Sequence, residues 1–340
     1  MNRTTYGVDI AKSVMQLHWV DGETGEIGRK QLTRAKLSAY FAQLQPLCIV
    51  MEVCGGAHYW ARKFQALGHE VGLLPARQAR PFVRGNKDDA ADARAIRRAP
   101  IKSVEQQAVQ SLHRLRQHWV SVRTATLNAL RSLMYEFGVV LPGGRQVGVK
   151  AIGERHTQID AQLPALMQRA LDTQLAALKD VERQITQLES EIVAQQKQST
   201  PAQKLTQMPG IGRLGSTALA ATLGDGKAWR NAREFTASLG PAPVHRDTSG
   251  KTRMGHISKR GNPYRRTLLI DGARAVIANA KQKPEWLSKL LQRRPANVAA
   301  VALANKMALV AKGAQYSGIT ARPTEAAPHQ RQRHDINLLR

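Results

Sequence analysis

The spacing of apolar residues over the first hundred positions alternates between the two-residue period of a strand and the longer period of a helix. It predicts two strands, TTYGVDIA and VMQLHWVD, joined by a turn at Lys12 and Ser13, and a third strand, EIGRKQLT. It then predicts a helix in AKLSAYFAQLQP, followed by a buried strand in LCIVMEV. A second helix is predicted in AHYWARKFQALG and a further strand in EVGLLP. Another helix is predicted to begin at DDAADARAIRRA. Three strands followed by alternating helices and strands predict an α/β sheet of the ribonuclease H kind in residues 1–102.

The pattern changes after Pro100, and residues 103–200 are predicted to form a helical middle domain. A long basic helix is predicted in LHRLRQHWVSVRTATLNALRSLMYEFG. Further along, apolar residues recur every three or four positions, as in a coiled coil, at Leu171, Leu175, Leu178, Val181, Ile185, Leu188 and Ile192. At 1.5 Å per residue this seam is about 33 Å long. A zipper between two chains and an intramolecular hairpin with the 103–138 helix explain it equally well.

A third, mostly helical domain is predicted for residues 201–315. It contains MPGIG (Met208–Gly212), then a Gly-rich basic segment, then two helices that extend to about Gly313. MPGIG resembles a helix-hairpin-helix turn, in which glycines let backbone N–H groups approach a phosphate. Gly210 and Gly212 are therefore predicted to bind nucleic acid, with an ordinary Gly-rich loop as the alternative. Residues 316–340 are polar and predict a disordered tail.

The charge of the chain narrows the class of partner. Its 51 Lys and Arg against 25 Asp and Glu leave a net charge of +26 and a pI near 10.8, which indicates a polyanionic partner. No apolar stretch approaches the roughly 20 residues of a membrane-spanning helix, so nucleic acid is favoured over a membrane. The alternative is a ribosome-associated or merely soluble basic protein. Because the start MNRTTYGVDIAK is unlike a signal peptide and Cys48 and Cys54 are the only cysteines, we expect a cytoplasmic protein without disulfides.

Four acidic residues in the predicted ribonuclease H-like domain suggest a metal site. Asp9 and Glu52 each end an apolar strand, and Asp89 and Asp92 lie one helical turn apart in NKDDAADARAI. If the two strands are neighbours, the four carboxylates converge and repel one another, and only divalent cations would keep them ionised. The histidines show no zinc spacing, so magnesium, or else manganese, is the expected ion. Two such ions would polarise a phosphodiester for in-line displacement.

Each of these acids also has a structural interpretation. An aspartate in a strand often caps a turn, and a DxxD pair at a helix start complements the helix dipole. Asp88 points away from Asp89 and is expected to face solvent or to cap the helix. Cys54, close to Glu52, is interpreted as a small core residue rather than a redox centre. The joint pattern favours the metal site, but it leaves the structural alternative open.

The basic segment is predicted to hold the nucleic-acid backbone. Between residues 251 and 266 there is no acid, and the predicted phosphate contacts are Lys251, Arg253, Lys259, Arg260, Arg265 and Arg266. Ser249 stands at the head of this run, where a serine could attack a phosphodiester. Ser216, Ser258 and Ser317 carry the same hydroxyl, and serines in Gly-rich loops usually form turns. The residues alone therefore leave the nucleophile open.

Taken together, these segments resemble the DEDD transposases of the IS-one-ten insertion-sequence type, relatives of the Piv-type DNA invertases. The resemblance runs in family order from residue 5 to about residue 312. It is carried by YGVDIAK, VMEVCGGAHYWARKFQALGHEV, GNKDDAADARAI, LTQMPGIG, EFTASLGPAPVHRDTSGKTRMGHISKRGNPYRRTLL and ALANKMALVA. The combination is highly specific, although each fragment alone is not.

The resemblance implies a RuvC-like N-terminal domain whose catalytic, magnesium-binding tetrad is Asp9, Glu52, Asp89 and Asp92. It also implies a C-terminal transposase domain whose nucleophile is Ser249, which would form a covalent phosphoserine link to DNA. Serine and carboxylates would meet by folding or within a homo-oligomer, a dimer or a tetramer. The implied partners are donor DNA, target DNA and a non-coding bridge RNA. Asp88 departs from the family, where relatives often carry a polar neutral residue.

Two other functions compete with this RNA-guided recombinase. A RuvC-type junction resolvase or nuclease would hydrolyse DNA with water and would need the four acids but not Ser249. A non-catalytic basic scaffold for RNA or DNA would need neither. Substitution of Ser249 by alanine separates the recombinase from the nuclease, and substitution of Asp9 separates both from the scaffold.

Overall fold

The computed structural model describes residues 4–75, 99–141, 162–248, 251–259 and 261–317, and for residues 243–248, 251–254 and 314–317 it describes the backbone alone. The chain divides into two compact units, Met1–Glu105 and Gln106–Arg340. None of the helices in the described ranges is long and apolar enough to cross a membrane.

The first unit is built on a five-stranded sheet. Its strands are β1 (Thr5–Asp9), β2 (Val14–Val20), β3 (Ile27–Thr33), β4 (Cys48–Glu52) and β5 (Glu70–Leu74), and its helices are α1 (Arg34–Ala42) and α2 (Ala57–Ala66). The strand order is β3-β2-β1-β4-β5. The first three strands form an antiparallel meander, and β4 and β5 run parallel to β1. This arrangement agrees with the predicted α/β sheet and is consistent with a ribonuclease H-like fold.

The alternation of buried and exposed residues along β1 and β4 shows which face of the sheet is buried. Tyr6 and Val8 of β1 and Ile49 and Met51 of β4 are each no more than 5% exposed. They belong to one core with the aromatic side chains that α1 and α2 contribute, Phe41 and Phe64. Successive residues of a strand point to opposite faces, so the residues that alternate with these core positions lie on the other face.

The second unit begins with a helical hairpin made of α3 (Val104–Glu136) and α4 (Ala165–Gln198). Arg116 pairs with Glu189, and Arg123, further along α3, pairs with Glu182. The two helices therefore run antiparallel. Five positions of the predicted coiled-coil seam are buried within this single chain: Leu171, Leu178, Val181, Ile185 and Ile192. The structure thus contains the intramolecular hairpin, one of the two alternatives that the sequence left open.

Six more helices and one β-hairpin lie in the described part of the second unit. They are α5 (Thr200–Thr206), α6 (Arg213–Leu223), α7 (Ala232–Leu239), β6 (Pro243–Thr248), β7 (Lys251–Ile257), α8 (Pro263–Asn279), α9 (Glu285–Arg293) and α10 (Ala296–Ser317). The helices enclose one core, to which Leu219, Phe235, Leu269 and Met307 contribute. Small residues allow the closest approach in it, because a Cβ at Gly272 of α8 would overlap the Gly210 carbonyl oxygen.

Two features of this unit differ from the sequence prediction. The stretch between Asn262 and Gly313 contains three helices where two were predicted, since Pro284 and Pro295 each stand immediately before a helix and interrupt the helical run. The basic segment supplies β7 and the residues just before it supply β6, although no strand was predicted in either place. Thr248 pairs with Lys251, and such a short connection containing glycine favours a β-hairpin.

Candidate active site

The structure brings two of the predicted metal ligands, Asp9 and Glu52, together at the edge of the sheet. β1 and β4 are parallel neighbours with Val8 opposite Met51, so the next residues, Asp9 and Glu52, follow side by side. Both side chains are exposed and alternate with buried positions, which places them on the face opposite the core. Each acid stands at the carboxyl end of its strand. Both are therefore held by ordinary strand pairing.

Cys54 lies beside these carboxylates and is exposed, which corrects its interpretation as a core residue. Its Sγ is 3.9 Å from the Ile10 carbonyl oxygen, so it spans the ends of β1 and β4. Partial burial raises the pKa of the Cys54 thiol, and the negative charges of Asp9 and Glu52 raise it further. The thiol therefore stays protonated at neutral pH, and its pKa responds to the negative charges of both carboxylates.

The other two predicted ligands, Asp89 and Asp92, lie outside the described residues. The chain on either side of them is described. Ala99 returns to β5, where its N–H donates to the Leu73 carbonyl at 2.6 Å. Within the described ranges no group of three or more His, Cys, Asp or Glu side chains could hold a metal ion.

Asp9 and Glu52 suit a hard divalent cation. Two exposed carboxylates supply oxygen donors, which magnesium and manganese prefer. The residues at the sheet edge therefore fit half of the predicted ligand set.

The segment Met208–Gly212, predicted to be a helix-hairpin-helix turn, lies between α5 and α6, and its two glycines differ in their surroundings. Gly210 has a φ of 87°, and a Cβ there would crowd Met307 and the Gly272 carbonyl, so the turn and the core packing both require glycine. Gly212 begins α6 without a side-chain cap, and a Cβ there would meet open space. The N–H groups of the first turn of α6 are thus open to an anion at Gly212. Phosphate binding by either glycine stays a prediction.

The predicted phosphate contacts of the basic segment fall into three groups. Ser249 and Arg260 lie outside the described residues, and Lys251 and Arg253 lie on β7, where only the backbone is described. Lys259 is exposed. Arg266 donates to the Leu239 carbonyl at 3.4 Å, which gives it a structural contact. Arg265, in the first turn of α8, is half-buried.

A buried polar network that sequence reasoning missed lies beside Arg265. Thr217 Oγ1 donates to the Arg213 carbonyl and accepts from His113 Nε2 at 3.0 Å, so the other ring nitrogen of His113 accepts from the Tyr264 hydroxyl at 2.9 Å. Burial, and then the charges of Arg116 and Arg265, lower the pKa of His113 to about 4. The imidazole is therefore neutral at pH 7. Its hydrogen bonds connect α3 to α6 and α8. No local sequence pattern predicts such partners, because they lie more than a hundred residues away in the sequence.

Known proteins resemble this chain in both of its units. A family model for DEDD transposases of the IS110 type matches residues 6–138. A second model, described as "Transposase IS116/IS110/IS902 family", matches residues 202–289. The "Probable family 20 transposase" of Pseudomonas aeruginosa is 44% identical over 324 residues, which cover 91% of this chain and 96% of the relative. The chain belongs to the IS110 family of insertion-sequence transposases.

Other relatives extend this family membership across bacterial species. The "Transposase for insertion sequence element IS1111A" of Coxiella burnetii is 35% identical over 89% of this chain and 86% of its own length. The "Transposase for insertion sequence element IS1328" of Yersinia enterocolitica is 34% identical over 91% of this chain and 96% of its own length. The resemblance inferred from the sequence motifs is thereby confirmed, and the protein is an insertion-sequence transposase.

Proposed function

We propose that this IS110-family transposase cuts and rejoins donor and target DNA with Ser249 as nucleophile and with Asp9, Glu52, Asp89 and Asp92 as ligands of divalent cations, magnesium or manganese. The observation that carries the proposal is the pairing of Asp9 with Glu52 on adjacent parallel strands, on the exposed face of the sheet. Such a pair suits a hard cation, and a phosphodiester is the substrate on which that cation acts.

The chemistry assigned to Ser249 is a pair of balanced transfers. The Ser249 hydroxyl loses its proton and its oxygen attacks the scissile phosphorus. The departing DNA oxygen breaks its P–O bond and takes up a proton, and a phosphoserine diester remains. A hydroxyl of the second DNA then attacks this diester and releases the serine, so no external energy source is needed. A bound magnesium ion would stabilise the negative charge that develops on the phosphate oxygens.

RNA guidance and assembly belong to the same proposal. The charge of +26 suits a protein that holds RNA together with DNA, and a bridge RNA would select the donor and target sequences. Serine and carboxylates would meet in a homo-oligomer, a dimer or a tetramer. RNA sequenced from the purified native protein would test the guide, because a recurrent structured transcript is expected and a random mixture of cellular RNA would contradict it.

Ser249→Ala tests the nucleophile. The full-length protein would be incubated with element-end DNA and Mg²⁺, and detergent-resistant protein–DNA adducts and recombined products would be separated by electrophoresis. Ser249→Ala is expected to lose both adduct and product by at least about a thousandfold while it still binds DNA. Ser258→Ala, in the same segment, is the matched control and should behave as wild type.

Asp9→Asn and Glu52→Gln test the carboxylates in the same assay, and each should abolish both adduct and product. Cleavage that survives Ser249→Ala but not Asp9→Asn would show a nuclease that uses water. A wild-type protein that binds DNA but forms neither adduct nor product, with binding unchanged in all three variants, would leave only a nucleic-acid scaffold.

A further inference from the structure

An open cleft in the second unit lies where α3 meets the start of α8. The space between its lining residues, including the part that is open to solvent, is about 330 Å³. Its polar lining comes from two segments far apart in the sequence and includes Gln110, His113, Arg114, Gln117, Asn262, Tyr264 and Arg265. Among the lining residues in the described part of the chain, two are arginines and none is acidic.

Arg114 and Arg265 both line this cleft, and the charge of Arg114 acts on Arg265. Burial, and to a smaller extent the charge of Arg114, lower the pKa of Arg265 to about 10, so the Arg265 guanidinium group remains charged at pH 7. Within the described residues neither makes a hydrogen bond or an ion pair through its guanidinium group. Two like charges that line the same partly buried cleft repel each other, and an anion bound between them would offset this repulsion.

Two other arginines of α3 are paired with carboxylates of α4. Arg116 binds Glu189 at 2.6 Å, and Arg123, 9% exposed, lies 3.3 Å from Glu182. Within the described residues neither Arg114 nor Arg265 has such a carboxylate partner, so their charges are accessible to a ligand from outside the chain.

The remaining lining groups favour an acceptor-rich anion. Asn262 Oδ1 already accepts from the Tyr264 N–H at 2.9 Å and from the Arg265 N–H, which leaves the amide nitrogen as a donor. His113 is neutral and its two ring nitrogens are engaged by Thr217 and Tyr264. Guanidinium and amide donors without a facing carboxylate match a phosphate oxygen, and arginine binds phosphate in a fork geometry.

Arg265 also lines a second cavity, which Gly210 and Gly215 of the helix-hairpin-helix border. Arg265 is therefore a lining residue both of the cleft and of a cavity beside Gly210, a predicted phosphate contact. A polynucleotide offers phosphates in series, whereas a small anion would use one position only.

We propose that the cleft between α3 and α8 binds a backbone phosphate of a nucleic-acid strand, with Arg114 and Arg265 as its two cationic ligands. The ligand class rests on the proposed function, but the binding does not require any catalytic step. Arg114 is the new element, since it is distant from the basic segment in sequence and only the fold brings it to Arg265.

Binding of labelled nucleic acid by the full-length protein tests the cleft. The probes are a fluorescein-labelled DNA duplex and a single-stranded RNA of the same length, each titrated at several salt concentrations. Arg265→Gln and Arg114→Gln are each expected to weaken at least one probe about tenfold and to reduce its salt slope by about 1. The double variant should lose less than the sum, because both side chains hold one phosphate.

The control variants separate this site from general electrostatics. Arg293→Gln removes the same charge from the exposed end of α9 and should change affinity and slope little. Arg265→Lys should restore part of the affinity, which a purely structural role would not predict. If Arg265→Gln fails to fold, Arg114→Gln at its exposed position decides the question. A loss confined to the duplex identifies DNA as the ligand, and a loss confined to the other probe identifies RNA.

Two results would overturn the cleft proposal. One is wild-type affinity and salt slope for both probes in Arg114→Gln and in a folded Arg265→Gln. The other is an equal loss in Arg293→Gln. The proposed function fails separately, through unchanged recombination in Ser249→Ala, and that result leaves the binding comparison intact.

Discussion

At the scale of single residues, three side chains at one sheet edge share an electrostatic environment. Asp9 and Glu52 are placed by the register of β1 and β4, and Cys54 follows directly after β4. The two negative charges raise the pKa of the Cys54 thiol above what burial alone would give. The reactivity of this thiol therefore measures the charge at the predicted metal site without any need for catalysis.

Alkylation of Cys54 by iodoacetamide should respond to that charge. Asp9→Asn removes one negative charge, so the thiol pKa falls and alkylation at mildly alkaline pH should become roughly twofold to tenfold faster. Mg²⁺ bound at Asp9 and Glu52 should accelerate the wild-type reaction in the same direction and leave Asp9→Asn unaffected. Peptide mass spectrometry measures Cys54 and Cys48 separately, and Cys48 is the internal reference. A wild-type rate that is indifferent to Mg²⁺ would contradict metal binding by these acids.

At the scale of elements, close packing and one buried histidine hold the second unit together. Gly272 of α8 permits contact with the Gly210 turn, and His113 of α3 joins α6 and α8. The turn that presents Gly212 is thus positioned by the core as well as by its own glycine sequence. Disturbing either contact should destabilise the whole unit.

Gly272→Ala is expected to destabilise the protein by about 2 kcal/mol or more, because the added Cβ would overlap the Gly210 carbonyl and the backbones must move apart. Gly313→Ala is the matched control within α10. A Cβ there meets no atom within 4 Å, so helix propensity should make it neutral or stabilising by up to about 1 kcal/mol. Urea unfolding followed by circular dichroism measures both variants. Equal effects of the two substitutions would contradict the packing of Gly210 against Gly272.

The stability of the second unit should fall in mild acid because of His113. Its pKa is about 4 in the folded protein and 6.5 in its ordinary environment, so the unfolded chain binds the proton more tightly. Stability is therefore lost as the pH falls from about 6.5 to about 4, by roughly 3 kcal/mol in total. His113→Gln should flatten this part of the pH profile of urea unfolding, and His118→Gln, on the exposed side of α3, should not. A profile unchanged by His113→Gln would exclude this origin.

Local pattern predicted much of the first unit and little of the contacts in the second. Alternation of apolar and polar residues was sufficient for β1 and β4, and therefore for the pairing of Asp9 with Glu52 once the strands are neighbours. The β6–β7 hairpin was missed because glycines and charges obscure the alternation in that segment. Arg114 and His113 were missed because their partners, Arg265 and Tyr264, lie some 150 residues away, and no local period encodes such contacts.

At the scale of the whole molecule, the net charge of +26 makes electrostatic attraction to phosphate groups the dominant long-range interaction of the protein. The helical hairpin of α3 and α4 satisfies much of its apolar seam within one chain. Assembly into a dimer or tetramer is therefore expected to use other surfaces, or nucleic acid itself. Ionic strength should then govern binding more strongly than temperature or mild pH changes do.

Affinity for a DNA duplex should fall by about a thousandfold or more between roughly 50 and 200 mM salt, because many phosphate contacts release many counterions. Fluorescence anisotropy at a series of salt concentrations gives the slope. An affinity that changes by less than about threefold over this range would contradict an electrostatic interface.

The most direct measurement for the central claim is the identity of the residue that becomes joined to DNA. The wild-type protein would react with element-end DNA in Mg²⁺, and nuclease and protease digestion would leave a modified peptide for mass spectrometry. A nucleotide phosphate on Ser249, present with Mg²⁺ and absent with a chelator or in Asp9→Asn, is the predicted result. Strand cleavage without any such adduct, or an adduct on a different residue, would contradict the account.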